Sequence, residues 1–387
     1  MKDLKIFAKT IEPQAQAQID LLLEQEAFKD CKVRIMPDVH AGIGCVIGFT
    51  ANLGDKVIPN IVGVDIGCGM VTVSLGKIDI DYEKLDNVIR AYVPSGMEVR
   101  ADYGHEPIID SLRCRDQLRN VERLHASMGT LGGGNHFIEI DQDDEGNKYL
   151  IVHTGSRNLG KQVAEIYQDI AIKNLSVNKE ERQELIARLK SEGREREIAD
   201  ELAKLKEKGT IPKELRYLEG FERDQYLYDM RKCQTFAGRN RRTIALTICQ
   251  YMGFMPQELW HTVHNYIDPF GMVRKGAISA EAGKTVLIPM NMRDGCIIAR
   301  GLGNEDWNCS APHGAGRLMS RAKAKETIPL SEYRKTMDGV FTTSVSSATL
   351  DEAPMAYKPM DEILDCIAPT VQVLKIIKPV YNFKAGD

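Results

Sequence analysis

One glycine-rich segment, VGVDIGCGM (62–70), places a carboxylate and a thiol on the same short stretch of chain. Asp65 and Cys68 lie three residues apart in it. An oxygen donor and a sulfur donor together suit a divalent ion of intermediate softness, such as zinc or manganese. Taken alone, such a pair is more often a turn and a buried thiol. The segment is a strong metal candidate only with further donors near it.

Three histidines in other segments are candidates for those donors. His136 follows the glycine run of GTLGGGNHFIEI (129–140), and such glycines let the backbone approach a ligand closely. His153 ends an apolar strand before a glycine turn, a position that points into a cleft in many α/β sites. His264 begins the HNY segment, where the ordinary interpretation is a packed histidine.

The segment APHGAGR (311–317) supplies a candidate nucleophile, His313. A neutral imidazole can attack phosphorus and form a covalent phosphoramidate, which divides a nucleotidyl transfer into two easier steps. The sequence predicts that glycines follow His313 and lead into a helix, so that His313 lies close to a helix start, where a phosphate is held well. That helix would carry basic residues, namely Arg317, Arg321, Lys323 and Lys325.

Short β-branched runs separated by Gly, Pro and Asn predict strands, and longer stretches with helical spacing predict helices. The predicted strands are 33–36, 45–49, 57–64, 71–75, 136–140, 149–153, 286–288 and 296–300, and the predicted helices are 82–92, 109–124 and 221–252. The fold class is therefore α/β in the broad sense (α+β). The charged segment 178–210 predicts a surface helical hairpin whose charge fits a solvated face. We interpret residues 1–387 as one domain.

Composition limits the classes of protein that remain. Of the 387 residues, 43% are hydrophobic and 27% charged, which is typical of a globular chain with a large core. No signal-peptide pattern and no apolar run of about 20 residues is present, so we expect neither export nor a membrane span. Nine scattered cysteines indicate reduced thiols and a cytoplasmic location. A net charge of −4 neither suggests nor excludes nucleic acid.

Seven segments, in this order, resemble the RtcB family of GTP-dependent RNA-splicing ligases. They are PDVHAGIG (37–44), VGVDIGCGM (62–70), GGGNHFIEI (132–140), VHTGSR (152–157), HNY (264–266), RKGA (274–277) and HGAGR (313–317). The resemblance extends to Lys384 and so covers nearly the whole chain. It implies a single RtcB-like domain with mixed and antiparallel sheets around a central metal cleft.

The resemblance also implies an activity and its cofactors. RNA ending in a 2′,3′-cyclic phosphate or a 3′-phosphate would be joined to RNA beginning with a 5′-hydroxyl, in RNA repair or tRNA splicing. The family uses GTP and two manganese ions, although zinc would suit Cys and His donors at least as well. We expect a monomer, and the sequence leaves open whether an activating partner such as archease is needed.

Site residues carry over from the family position by position. The metal ligands are Asp65, Cys68, His136, His153 and His264, with Cys68 bridging both ions, and His313 is the residue that becomes guanylated. The nucleotide contacts are Asn135, His136, Phe137, Ile138, Glu139, His264, Asn265, Pro289, Met290, Asn291, Met292, Cys296, His313, Gly314, Ala315, Gly316 and Lys384, of which Lys384 would contact guanine. Candidates for holding RNA or triphosphate oxygens are Arg157, Lys275 and Arg317, for which solvated surface charge is the alternative.

The chain departs from the family in one loop. Where the family has a Pro-Gly-Ser-Met-Gly turn followed shortly by serine, this chain reads Pro289, Met290, Asn291, Met292 and Arg293, with Cys296 at the serine position. Asn291 keeps hydrogen-bonding capacity, whereas Met290 replaces a glycine that would tolerate a positive φ. The substitution predicts altered nucleotide preference, with weaker selectivity for guanine.

Two other functions use many of the same residues. A metal-dependent RNA-end phosphoesterase would need the Asp, Cys and His donors to activate water, but it would not need His313. A noncatalytic RNA-end binding paralogue would explain the altered loop. Covalent labelling by GTP separates a ligase from both.

Overall fold

The strands form mostly antiparallel sheets, as the family resemblance implies. The structure is a computed structural model that describes residues 3–42, 44–102, 104–176 and 179–385. Its strands are β1 (Asp3–Ile6), β2 (Lys32–His40), β3 (Ile47–Asn52), β4 (Lys56–Val57), β5 (Gly69–Gly76), β6 (Phe137–Gln142), β7 (Lys148–Thr154), β8 (Leu218–Glu219), β9 (Glu258–Val263), β10 (Asn265–Ile267), β11 (Met272–Lys275), β12 (Ala277–Ser279), β13 (Thr285–Asn291), β14 (Gly295–Gly301), β15 (Ser310–Pro312), β16 (Phe341–Thr342) and β17 (Val371–Lys384).

The helices lie between these strands and include one long element, α9. They are α1 (Pro13–Leu23), α2 (Pro59–Val62), α3 (Tyr82–Tyr92), α4 (Pro107–Asp110), α5 (Val121–Ala126), α6 (Arg157–Asn174), α7 (Lys179–Ser191), α8 (Ile198–Thr210), α9 (Gly220–Met252), α10 (Arg321–Thr327), α11 (Leu330–Thr336) and α12 (Met360–Ile367). No helix among the described residues combines the length and apolar character that crossing a membrane requires.

Along the strand order β13-β14-β17-β6-β7-β5-β9, every neighbouring pair of the larger sheet is antiparallel, and β16 joins the same sheet as a parallel partner of β17. The smaller sheet has the order β1-β2-β3-β11-β10, in which only β1 and β2 run parallel. Strands β12 and β15 form a separate antiparallel pair. The predicted mixed α/β class with mostly antiparallel sheets is therefore confirmed.

Two of the predicted elements are wrong. The predicted strand 57–64 contains only the end of β4 and is then helix α2, because Pro59 fits the first helical position and has no N–H for a strand ladder. The predicted helix 109–124 is broken into α4, a 3-10 turn and α5. The carboxylate of Asp229 in α9 accepts hydrogen bonds from the backbone N–H groups of Arg113 (2.8 Å) and Cys114 (3.0 Å), which replaces helical pairing there.

Helices α7 and α8 occupy the charged segment predicted as a hairpin, and a 3-10 turn at Glu195–Glu197 separates them. Arg194 lies in this connection and pairs with Glu192 at 3.0 Å and Glu197 at 2.6 Å. The first residue of the predicted segment, Asn178, lies outside the described residues, as do both ends of the predicted domain 1–387. The assignment of the whole chain to one domain stays a prediction.

Candidate active site

The ends of four strands bring the predicted metal ligands together. Gly69, at the start of β5, pairs with Thr154 at the end of β7 and with Val263 at the end of β9. Phe137, at the start of β6, pairs with His153. The residues at or next to these ends therefore lie side by side, and they are Cys68, His136, His153 and His264.

The donor atoms form two groups that share one thiol. Cys68, His153 and His264 make the first group, and Asp65, Cys68 and His136 make the second, with the ligand atoms of each group within 4.8 Å of one another. Cys68 Sγ lies 3.4 Å from His153 Nε2 and 3.7 Å from His136 Nε2. Two groups that meet at one sulfur are the arrangement that a pair of ions bridged by a thiolate requires.

Hydrogen bonds on the far side of two imidazoles set which nitrogen faces the centre. His136 Nδ1 donates to the Leu131 carbonyl oxygen at 2.9 Å, and His153 Nδ1 donates to the Asn135 carbonyl oxygen at 3.1 Å. Since a carbonyl only accepts, the Nε2 atom of each ring faces the donor groups, where His136 Nε2 also lies 3.1 Å from Asp65 Oδ2. The Nδ1 atom of His264 is buried without a hydrogen-bond partner among the described residues. These donors fit the divalent ions that the sequence predicts.

The protonation states of the donors suit metal binding, except for the thiol. Burial, with smaller effects from neighbouring histidines, lowers the pKa of His153 and His264 well below 6.5, so both are neutral at pH 7. Burial works to raise the pKa of Asp65, but His136 outweighs it and the pKa is lowered. Burial and the charge of Asp65 raise the pKa of Cys68 well above 9.0. A metal ion that binds this thiol must therefore displace its proton.

Metal binding is consequently expected to release about one proton per protein between pH 7 and 8.5. The neutral histidines and the ionised Asp65 have no proton to lose in that range, whereas the Cys68 thiol does. Metal affinity should rise about tenfold per pH unit across it. Calorimetric titration with Mn²⁺ in two buffers of different ionisation enthalpy measures the proton count, and a count of zero would contradict the proposed role of Cys68.

Arg241 on α9 joins the backbone of two segments that carry ligands. Its Nη1 atom donates to the Gly67 carbonyl oxygen at 2.7 Å and to the Thr154 carbonyl oxygen at 2.8 Å. The side chain is almost fully buried. Arg241 therefore fixes the chain next to Cys68 relative to the chain next to His153. Sequence reasoning gave Arg241 no role in the site.

His313 is held by an aspartate that sequence reasoning assigned no role. Its Nδ1 atom donates to Asp38 Oδ2 at 2.6 Å, and the backbone N–H groups of His313 and Gly314 donate to the same oxygen at 3.0 and 3.3 Å. Asp38 has no exposed surface. Because the carboxylate oxygen accepts, Nδ1 carries the hydrogen and Nε2 keeps the lone pair of a nucleophile. The His313 ring centroid lies 4.9 Å from that of His264, beside the metal group.

A basic helix follows the glycines after His313 as predicted, but it begins only after Arg317, so His313 does not lie at its start. His313 directly follows β15, and the next helix, α10, begins only at Arg321 with Ser320 as its cap. Gly316 adopts a φ of 75° in the intervening turn, and a Cβ there would meet the Asp38 backbone at 2.4 Å. The glycines therefore allow the turn to pack against Asp38 and do not start a helix.

Replacing Asp38 with asparagine should slow nucleotidyl transfer to His313 by about 10²–10⁴-fold, because an amide cannot select the tautomer as a carboxylate does. Since Asp38 is a positioning residue, the loss should fall on kcat and leave the affinity for nucleotide nearly unchanged. Single-turnover labelling at several GTP concentrations separates the two quantities. A loss confined to nucleotide affinity would contradict the positioning role.

A cavity of about 670 Å³ opens beside His313 and His264. Most of the predicted nucleotide contacts line it, namely Asn135, Phe137, Glu139, His264, Pro289, Met290, Asn291, Met292, His313, Gly314, Ala315, Gly316 and Lys384. The lining also contains residues that the sequence analysis did not select, including Glu352, Tyr357 and Asn382. The cavity is large enough for a nucleotide.

Four predicted nucleotide contacts do not line the cavity. Ile138 points to the other face of β6, into the core, because side chains alternate along a strand. Asn265 uses its side chain within the fold, accepting from Gly276 N at 3.0 Å. Cys296 is buried in the sheet, and His136 lies with Asp65 in the second metal group.

The altered loop is the end of a β-hairpin between β13 and β14. Met290 lies in β13 with a negative φ and is buried, so the backbone of this chain does not need glycine there. The side-chain oxygen of Asn291 accepts from the backbone N–H groups of Arg293 (3.0 Å) and Asp294 (2.9 Å). Its amide nitrogen donates to Asp294 Oδ2 at 2.8 Å. The hydrogen-bonding capacity of Asn291 is therefore used to close the turn.

At another part of the lining, Lys384 forms an ion pair with a buried carboxylate, Glu352. Glu352 also accepts from Arg321 at 2.5 Å and from the Tyr357 hydroxyl at 2.8 Å. Burial acts to raise the pKa of Glu352, but the positive charges of Lys384 and Arg321 bring it down to about 2. The predicted guanine contact is thus held in place by a residue that sequence reasoning missed.

The three predicted phosphate-binding cations differ in position. Only Arg317 lines the cavity, where it also donates to the Asp351 carbonyl oxygen at 2.7 Å. Lys275 is buried and donates to the Asn60 carbonyl oxygen at 3.1 Å. Arg157 donates to Thr130 Oγ1 at 3.0 Å and to the Gly96 carbonyl oxygen at 3.1 Å. Arg317 is therefore the best placed of the three to meet a ligand in the cavity.

Comparison with known proteins identifies similar chains. A family model described as tRNA-splicing ligase RtcB matches residues 25–112 and 109–385. The chain is 31% identical to the RNA-splicing ligase RtcB of Escherichia coli K12, over 98% of this chain and 97% of that protein. It is 30% identical to the RNA-splicing ligase RtcB1 of a second Escherichia coli strain over the same shares. The tRNA-splicing ligase RtcB of Archaeoglobus fulgidus is 27% identical, over 86% of this chain and 83% of that protein.

Proposed function

Because the chain belongs to the RtcB family, we propose that it is an RNA ligase that joins a 2′,3′-cyclic phosphate or 3′-phosphate end to a 5′-hydroxyl end with GTP. The observation that carries this proposal is the position of His313. Its Nδ1 atom is bound to Asp38, it lines the cavity, and its ring lies 4.9 Å from that of the metal-group residue His264. This is the arrangement that a nucleotidylated histidine requires.

In the first step, His313 Nε2 attacks the α-phosphorus of GTP, the bond to the β-phosphate oxygen breaks, and pyrophosphate leaves. Asp38 stabilises the positive charge that the ring gains, because its carboxylate accepts the Nδ1 hydrogen at 2.6 Å. Divalent ions at the two Cys68 groups would supply charge neutralisation for the triphosphate. GMP is then bonded to His313 through phosphorus.

In the later steps, an oxygen of the RNA 3′-phosphate attacks the phosphorus of GMP, and His313 leaves as neutral imidazole. A cyclic phosphate must first be hydrolysed to the 3′-phosphate. The 5′-hydroxyl of the second RNA then attacks the activated RNA phosphorus, and GMP departs. Arg317, which lines the cavity, is the residue we assign to phosphate oxygens.

The other expectations follow from this proposal. The ions would be two Mn²⁺, with zinc the alternative, held by Asp65, Cys68, His136, His153 and His264. The reaction would serve RNA repair or tRNA splicing in the cytoplasm, with the chain acting as a monomer. An activating partner such as archease would raise the number of turnovers per protein.

A phosphoesterase is the second candidate, since the same donors would activate water. The bond between Asp38 and His313 is compatible with both functions, because a histidine that a carboxylate orients can act as a nucleophile or as a general acid in hydrolysis, so covalent labelling separates them. Incubation with α-labelled GTP and Mn²⁺ should leave an acid-labile label on the protein. Phosphate release without any label would instead favour the hydrolase.

Selectivity for guanine should be weak. Asn291 is occupied in its turn, Met290 and Met292 present apolar side chains to the cavity, and the Lys384 ammonium is bound to Glu352. We expect GTP to label His313 less than about 100-fold faster than ATP, whereas a site that hydrogen-bonds its base fully discriminates by about 10⁴–10⁵. Labelling rates with the four nucleoside triphosphates measure the ratio, and strict dependence on GTP would contradict the expectation.

A further inference from the structure

A third group of potential metal ligands lies inside the larger sheet, apart from the Cys68 centre. Glu139 and Asp141 are two residues apart in β6 and therefore project from the same face of that strand. Cys296 lies in β14, on the other side of β17. One ligand atom from each of the three residues lies within 4.8 Å of the other two.

Asp141 is the residue that makes this group unusual. It has no exposed surface, and neither carboxylate oxygen has an N–H or O–H partner among the described residues. The buried thiol of Cys296 faces it, and the nearby carboxylate of Glu139 accepts from Asn382 Nδ2 at 3.2 Å. The charge of Lys384 acts on Glu139, but that ammonium is bonded to Glu352. Two buried carboxylates without a counter-charge must gain either protons or a cation.

The backbone at the same place is interrupted. In β17, Pro379 is the partner of Asp141, and the register shifts between Pro379 and Tyr381. Proline donates no hydrogen bond to a strand ladder, so the pairing of β6 with β17 is weakened there. A cation bound by Asp141 and Cys296 would connect β6 to β14 across this interruption.

We propose that Glu139, Asp141 and Cys296 form a further binding site for a divalent cation of the zinc class. Two carboxylate oxygens and one thiolate sulfur are donors that zinc accepts. The ion replaces the thiol proton and balances the carboxylate charges within the sheet. Because Glu139 also lines the cavity, an ion bound to Glu139 would fix the position of one wall of that cavity. The proposal does not rest on ligation, because none of its three ligands belongs to the Cys68 centre, and its test contains no nucleotide, which keeps it separate from the predicted nucleotide contacts of Glu139 and Cys296.

The test uses Co²⁺ as the probe and the Cys68→Ser chain as the starting protein. Without Cys68, the first two groups contain no thiolate, so a thiolate-to-cobalt absorption band in the near ultraviolet reports the third site. We expect a band that saturates at one equivalent. Asp141→Asn and Cys296→Ser, each added to Cys68→Ser, should abolish it. Cys249→Ser, which changes a buried cysteine on α9, should leave it unchanged.

Absence of the band in Cys68→Ser, or its survival in the Cys296→Ser double variant, would overturn the proposal. X-ray absorption of zinc-loaded Cys68→Ser leaves Glu139, Asp141 and Cys296 unaltered. It therefore tests the site even if the double variants do not fold. One sulfur neighbour to zinc supports the site, and only nitrogen and oxygen neighbours reject it. A carboxylic-acid carbonyl stretch that is lost in Asp141→Asn, without metal binding, would show instead that the carboxylates share protons.

Discussion

Replacing His313 with alanine is expected to abolish covalent labelling by GTP and to lower the rate of RNA joining by at least about 10⁴-fold. The reason is that forming GMP-bound His313 and passing GMP to the RNA 3′-phosphate both use the bond between its Nε2 atom and phosphorus. His40, His153 and His264 also line the cavity, but among these histidines only His313 has an Nδ1 atom bonded to the Asp38 carboxylate. The labelled protein and the joined RNA are separated by gel electrophoresis.

The matched control is His105→Ala. His105 is an exposed histidine that pairs with Asp110 at 2.5 Å and does not line the cavity, so its loss should leave labelling and joining within about twofold of the unaltered chain. Release of phosphate is measured as a second readout, because it distinguishes hydrolysis from ligation. If His313→Ala still released phosphate or joined RNA at a normal rate, His313 would not be the nucleophile.

Replacing Cys68 with serine is the change with the next largest expected effect. Cys68 belongs to both donor groups, so its loss should remove two ions together, whereas the loss of His264 should weaken only one. A serine hydroxyl keeps its proton near neutral pH and does not replace a bridging thiolate. We expect metal affinity to fall more than about 100-fold, which exceeds the effect of removing a residue that only hydrogen-bonds to a metal ligand. The rate of RNA joining should fall at least about 10³-fold.

Cys249→Ser is the control for this change, because Cys249 is also a buried thiol but lies on α9, outside the donor groups. Metal content after gel filtration and the rate of joining are measured for both variants. Loss of only one equivalent of Mn²⁺ in Cys68→Ser would show that the thiol serves a single ion. Equal losses in both variants would show that the effect comes from the fold.

Sequence patterns predicted the elements whose cause is local. The spacing of apolar residues gave α3 at Tyr82–Tyr92, and the long stretch before Gly253 gave α9. The region 109–124 failed because its backbone is satisfied by Asp229, a side chain more than a hundred residues away. No local pattern contains that information.

The same distinction applies to the site. The donors of the Cys68 centre were found because glycine-rich motifs mark them, and the pairing of β5 with β7 and β9 explains why they meet. Asp38 and Glu352 were missed as functional residues, since their partners His313 and Lys384 lie 275 and 32 positions away. Asp38 stands within the PDVH motif, which was the available signal. No signal marked Asn291 as a residue whose side chain closes a turn.

The most direct test of the proposed ligase follows one phosphorus atom. An RNA carrying a labelled 2′,3′-cyclic phosphate is mixed with a 5′-hydroxyl RNA, Mn²⁺, GTP and the full chain. We expect the label to become an internal phosphodiester that resists phosphatase, with no product when GTP or His313 is removed. Release of the label as inorganic phosphate, with the RNA ends left unjoined, would contradict the proposed ligase.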